Sequence, residues 1–264
     1  MNNIFDIKRF GKYLAYDIRQ TIANSGISLL VVGTLPVLIY LLSGVASLIF
    51  NGHWEVDPET TQVFAIIAAV MVIMMAFPTK AYGSLTDRKG GAAWALIPAS
   101  VPEKFISMML VSLVIVPCAV ILMLLASNAL MSLCVSDFTN LMPQLLRYHG
   151  SADGMPLEVN FFALFYASWI VSILVFLLGA LIFKKSKAGK TILCLIALSV
   201  LFSLVASSIV RSGWKPDLHI LDWLENATAE QIQARFNTWG NIWHAVLILL
   251  LGGGVYARLK TLKY

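Results

Sequence analysis

Six stretches of this chain contain no Asp, Glu, Lys or Arg: residues 26–50, 62–79, 105–136, 159–183, 191–210 and 242–257. Runs of this kind limit the choice of fold sharply. A backbone in hydrocarbon must satisfy its own N–H and C=O groups, and only helices and closed barrels do so. A helix needs about 20 mainly apolar residues to cross a bilayer, and each run lies near that length. The third is long enough to tilt or to include a turn outside the membrane. The sixth is short and is completed by residues 236–241, where Trp239 and Trp243 suit an interfacial aromatic belt. Only 12% of the residues are charged, about half the share usual in a soluble domain.

The basic residues flank the runs and do not form one patch, so the net charge of +5 reads as a topology signal and not as a nucleic-acid footprint. If the runs alternate across a membrane, the segments 1–25, 79–104, 184–190 and 258–264 share one side. They hold every Lys and Arg except Arg147, Arg211, Lys215 and Arg235. Most acidic residues lie on the other side. The excess of positive charge predicts that both termini face the cytoplasm. Ahead of the first run, residues 4–22 carry Ile4, Ile7, Phe10, Gly11, Leu14, Ile18 and Ile22 at helical spacing, with Lys8, Lys12 and Arg19 opposite. This pattern predicts an amphipathic helix lying in the membrane interface. The first apolar run starts too late and is too long for a cleavable signal peptide. There is no internal repeat.

Catalytic chemistry is hard to place. His53, His149, His219 and His244 fall beside separate outer segments, without metal-ligand spacing. Gly189-Lys190-Thr191 looks like the end of a phosphate-binding loop, but the glycine such a loop needs would fall at Lys184. Cys118, Cys134 and Cys194 lie within or at the edge of apolar runs and read as small hydrophobes. The apolar runs carry hydroxyls and, away from their ends, one amide, Asn128, but no carboxylate or ammonium group. Ion-coupled carriers and proton relays place ionisable groups there, so any uphill transport must draw energy from outside the spans. Pro36 and Pro117 are placed to kink their helices. Of the outer loops, 137–158 reads as irregular. The loop 211–241 carries two short helix candidates, 218–224 and 228–236, the second opened by Thr228 and Gln231 at capping-box spacing.

The segment 79–104 is the longest polar interruption on the basic side. Asp87, Arg88 and Lys89 precede Gly90-Gly91, a pair expected to break any helix coming from Asp87. Residues 92–97 would then present Trp94, Leu96 and Ile97, with Pro98 ending the element. Ser100, with Pro102 in the first turn and Glu103 three residues on, predicts a capping box that opens the third span.

Arg88-Lys89 followed by Trp94-Ala95-Leu96-Ile97-Pro98-Ala99-Ser100-Val101-Pro102-Glu103-Lys104-Phe105 resembles the segment reading LPAS and then LEKF in bacterial ABC-2-type transporter permeases of the Bacteroidetes type. Ile97 stands for the usual Leu, and Pro102 for the Leu before Glu. The resemblance implies a dimer, with itself or a homologous permease, working with separate ATP-binding subunits. ATP and Mg would be bound in those partners and no cofactor in this chain. It also implies that the loop between spans two and three holds a coupling helix at about residues 86–97, with Thr86, Asp87, Arg88, Lys89, Trp94 and Ile97 as contacts to the ATPase. The amphipathic segment 1–24 would be a connecting helix.

The expected protein is therefore all-α: one polytopic domain over residues 1–264, with six transmembrane helices in a bacterial inner membrane, and neither an enzyme nor a nucleic-acid binder. Its expected role is an ABC exporter permease. The alternative is a non-transporting membrane scaffold or sensor that recruits a cytosolic protein through the 79–104 loop.

Overall fold

The computed structural model describes residues 5–135, 149–152, 155–211 and 228–262. Helices dominate. α1 (Ile7–Gly33) starts on Asp6, whose carboxylate accepts the Lys8 and Arg9 N–H groups. It runs without a break through the amphipathic segment into the first apolar run. The break comes deeper, at Thr34, where α2 (Leu35–Asn51) leaves at 46° with Pro36 in its first turn. The expected proline kink is present, and the chain bends within the apolar run.

α3 (Pro58–Ala81) follows an Asp57 N-cap. After a 3₁₀ turn at Gly83–Thr86 and a short α4 (Arg88–Leu96), α5 (Val101–Leu110), a π-helical turn (Val111–Ile115) and α6 (Val116–Cys134) form one continuous rod. Pro117 explains the π turn. Proline has no N–H to offer the Leu113 carbonyl and would clash with it. The wider turn makes room, and the Tyr166 hydroxyl donates to the Leu113 carbonyl at 2.9 Å. A neighbouring helix thus satisfies the group that proline leaves free.

The outer segment around residue 150 is not wholly irregular, as the sequence reading had it. β1 (His149–Ala152) pairs antiparallel with β2 (Met155–Asn160), with a bulge between Gly150 and Ala152. The two residues between the strands are Asp153-Gly154, a strong hairpin signal that the loop reading passed over. α7 (Phe161–Ile182) and α8 (Lys187–Arg211) follow. The last helix, α9 (Ala229–Thr261), joins the outer helix candidate at 228–236 and the sixth apolar run into a single element. Its Thr228 and Gln231 close the expected capping box. The other candidate, 218–224, lies outside the described residues.

Among the described residues, four helical stretches are long and apolar enough to cross a membrane: Pro58–Thr86, Val101–Cys134, Lys187–Ile209 and Asn237–Thr261. The bent pair α1–α2 makes a fifth. The core lies around α7, where Trp169, Ile173, Leu177 and Leu181 are buried one turn apart. α7 packs against α3, α8 and α9. At Gly179 an added Cβ would lie 2.0 Å from the Thr191 hydroxyl, so glycine is what lets α7 and α8 touch. The outside is apolar. Every residue of α8 from Leu193 to Ile209 is exposed, an arrangement that is stable only if lipid or another apolar surface covers it.

The apolar stripe of α1 is divided: Leu14 and Ile18 pack against the core, while other members face out. Tyr13, Asp17, Thr21 and Ser25 are buried against the bundle, while Ile7 and Ile22 are 76% and 61% exposed. Ile4 lies outside the described residues. At a membrane interface apolar side chains can face lipid, and buried polar ones must find partners inside.

Candidate functional site

The helix starts and turns of one end of the bundle meet around α4. Asp87, with extended backbone, caps α4, and its carbonyl accepts the Gly91 N–H at 2.8 Å. The helix runs straight through Gly90 and Gly91, so the expected glycine break does not occur. Glycine costs about 1 kcal/mol relative to alanine in a helix. Here it serves a close approach: a Cβ at Gly90 would lie 2.4 Å from the Ser84 carbonyl oxygen. The helix ends where expected. Ile97, ahead of Pro98, is extended at φ −66° and ψ 125°, the conformation that a following proline imposes.

Three contacts hold α4 in place. At its start, the Lys187 ammonium donates to the Gly83 carbonyl and to Asp87 Oδ1, the latter at 3.1 Å. Lys187 is brought there by a tight connection after α7, in which Ser186 takes the left-handed conformation at φ 50°. The Thr86 hydroxyl donates to the Gly83 carbonyl at 3.0 Å and to the Phe183 carbonyl at 3.4 Å. In the middle, Trp94 Nε1 donates to the Tyr13 hydroxyl of α1 at 3.2 Å. On the α5 side, the Lys104 ammonium lies 4.2 Å from the Trp94 ring centre and donates to the Trp94 carbonyl at 2.7 Å.

A second junction fixes α1 to the start of α5. The Glu103 carboxylate is fully buried. It accepts the Ser100 N–H at 2.8 Å, which is the carboxylate half of the expected capping box. It also accepts the Asp6 N–H at 2.8 Å, the Arg9 Nε–H at 2.8 Å and an Arg9 Nη2–H at 2.7 Å. Glu103 precedes the third apolar run and lies outside it. Hydrogen bonds from Arg9 hold its carboxyl down to about 2, against the cost of burial. Two turns further along α1, the buried Asp17 carboxylate accepts the Ser107 hydroxyl at 2.6 Å and the Tyr82 hydroxyl at 3.2 Å. Among the described residues it faces hydroxyls and no cation, and burial raises its pKa.

The residues expected to meet a partner take different places in the structure. Thr86 and Asp87 face Phe183 and Lys187 within the chain. Trp94 is half-buried and turned inward onto Tyr13 and Lys104, so it anchors the helix and does not form its outer surface. Ile97 is half-buried, and the Arg88 side chain lies outside the described part of the structure. Lys89 is exposed as expected. The outward edge consists of Ala92, Ala93, Ala95 and Leu96, with Leu96 84% exposed. Arg9, Tyr13, Asp17, Lys104 and Lys187 were not singled out from sequence. Their partners lie up to 100 residues away, beyond any local pattern.

Among the described residues, no group of three or more His, Cys, Asp or Glu could hold a metal ion. The site offers a small helix, braced on three sides, with an apolar edge left open. Comparison with known proteins adds no relative: no family model, no curated protein and no solved structure matches this chain.

Proposed function

We propose that this chain is the membrane-spanning permease subunit of an ATP-driven exporter. It would span a bacterial inner membrane six times with both termini in the cytoplasm. The five stretches named above would be joined by α7 as the remaining span. Two copies, or this chain and a homologous permease, would form the transport unit with separate ATP-binding subunits.

The observation that carries the reading is α4. A helix that transmits force must be stiffly joined to the spans and must leave one face free for the partner. α4 meets both needs. Asp87, Trp94 and the Trp94 carbonyl tie it to α8, α1 and α5, and Ala92, Ala93, Ala95 and Leu96 remain outside. Small side chains with one projecting leucine suit insertion into a groove. The membrane orientation is supported by pairs that cross the chain. Arg9 meets Glu103, Lys187 meets Asp87, and Arg258 donates to the Leu181 carbonyl at 3.1 Å. The basic segments therefore gather at one end, which the positive-inside rule assigns to the cytoplasm.

In this mechanism the chain does no covalent chemistry. ATP-driven closure of the partner subunits moves α4. Trp94 and Lys104 pass that movement to α1 and α5, and the spans rearrange around a cleft. The test is purification from the native membrane. The complex should carry a subunit that hydrolyses ATP, and reversing both charges at Arg88 and Lys89 should uncouple hydrolysis from transport while leaving insertion intact. A chain that purifies with a cytosolic protein lacking ATPase activity would instead be a scaffold or sensor.

A further inference from the structure

The groove between α1 and α3 has the features of a lipid site. Ser25, Ser28, Leu29 and Val32 line it from α1, and Val72, Ile73, Ala76, Phe77 and Lys80 from α3. Two features stand out. The Lys80 side chain is exposed, meets only the Ser28 hydroxyl and faces no carboxylate among the described residues. Ser25 is 2% exposed, and its hydroxyl has no hydrogen-bond partner among the described residues. A buried hydroxyl without a partner is costly, and an unneutralised cation at the mouth of an apolar groove favours an anion.

We propose that this groove holds an anionic phospholipid of the leaflet on the Lys80 side. The headgroup phosphate would accept hydrogen bonds from Lys80, Ser28 and Ser25. One acyl chain would run along Leu29, Val32, Val72 and Ala76. From Lys80 to Val72 the helix rises about 12 Å, roughly the length of one leaflet's hydrocarbon. Free phosphate could meet the polar end alone. The commitment to a lipid rests on the apolar walls beneath that end and on the exposed apolar residues that flank them, Leu30, Val31 and Met75. The inference requires the chain to lie in a membrane but does not require it to be a permease.

The test is native mass spectrometry of the full chain in detergent, offered equal amounts of phosphatidylglycerol and phosphatidylcholine with matched acyl chains. The wild type should retain phosphatidylglycerol at least about fivefold in preference, the scale of one cation near an anionic headgroup. Lys80→Gln should abolish the preference and Lys80→Arg should keep it. Ser25→Ala should reduce the phosphatidylglycerol bound, and Lys12→Gln, elsewhere at the same end, should change nothing. Each variant is compared only where it elutes as the wild type does. Equal retention of the two lipids overturns the proposal, as does a preference that survives Lys80→Gln. Displacement of the lipid by inorganic phosphate would overturn the lipid assignment in favour of a phosphate site. A cysteine at position 80 that cross-links to a second copy would overturn it in favour of a protein contact.

Discussion

Glu103 and Asp17 are both carboxylates withdrawn from water where α1 meets the start of α5, yet their surroundings differ in kind. Glu103 is met by a guanidinium and two backbone N–H groups, so its charge is compensated on every side. Asp17 is met by the Ser107 and Tyr82 hydroxyls alone. Hydroxyls can hold a carboxylate in place but cannot repay the loss of its hydration. The first junction is therefore a fixed joint. The second holds α1 to the ends of α3 and α5 only weakly while Asp17 is ionised. A helix that relays movement needs both a joint that does not open and one that yields.

The largest expected effect breaks the fixed joint. Glu103→Ala leaves Arg9 and the Asp6 and Ser100 N–H groups without their acceptor. Of these donors Ser100 is the buried one; an orphaned buried donor costs about 1–3 kcal/mol, so the thermal unfolding midpoint in detergent should fall by a few degrees. A midpoint within a degree of wild type would show that the joint carries no strength.

Next comes the packing of α4. Gly90→Ala drives a methyl group into the Ser84 carbonyl, an overpacking that costs about 1–3 kcal/mol and displaces the helix. The same change at Gly253, where a Cβ meets nothing within 4 Å, should be neutral or slightly stabilising. Equal outcomes at the two positions would remove the close-approach explanation for Gly90.

The smallest effect has the opposite sign. Asp17 lies in the amphipathic segment outside the first apolar run. Burial raises its folded pKa above the ordinary 3.8, so its contribution is complete below that value and is lost as pH rises through the folded pKa. Asp17→Asn should therefore stabilise the chain at neutral pH and change little near pH 4. Glu103 behaves in reverse. Its folded pKa lies below the ordinary 4.5, so its contribution is complete above that value and fades as pH falls toward about 2. Thermal midpoints measured from about pH 2 to 8 check both signs. If Asp17→Asn is as damaging at neutral pH as Glu103→Ala, the contrast between the joints fails.

Much of the fold was legible in the sequence because it rests on local rules. The apolar runs, the stop at Pro98 and the Ser100–Glu103 and Thr228–Gln231 starts all depend on residues within one turn of each other. The misreadings came where long-range packing overrides a local preference. Gly90 reads as a helix breaker until Ser84 is placed beside it. The apolar stripe of α1 reads as one face until the fold shows Tyr13, Asp17, Thr21 and Ser25 turned inward beside Leu14 and Ile18. Trp94 reads as a projecting contact until Tyr13 and Lys104 are seen to hold it. Aromatic size and position alone could not tell an anchor from an outer contact.

The proposed role rests on the outer edge of α4 docking on an ATP-hydrolysing partner. A benzophenone amino acid placed at position 96, irradiated in native membranes, tests it most directly, with position 71 on the exposed face of α3 as the control. The account predicts an adduct at position 96 that contains a subunit with ATPase activity and no such adduct at position 71. Adducts at position 96 that contain only lipid, or only proteins without ATPase activity, would contradict it.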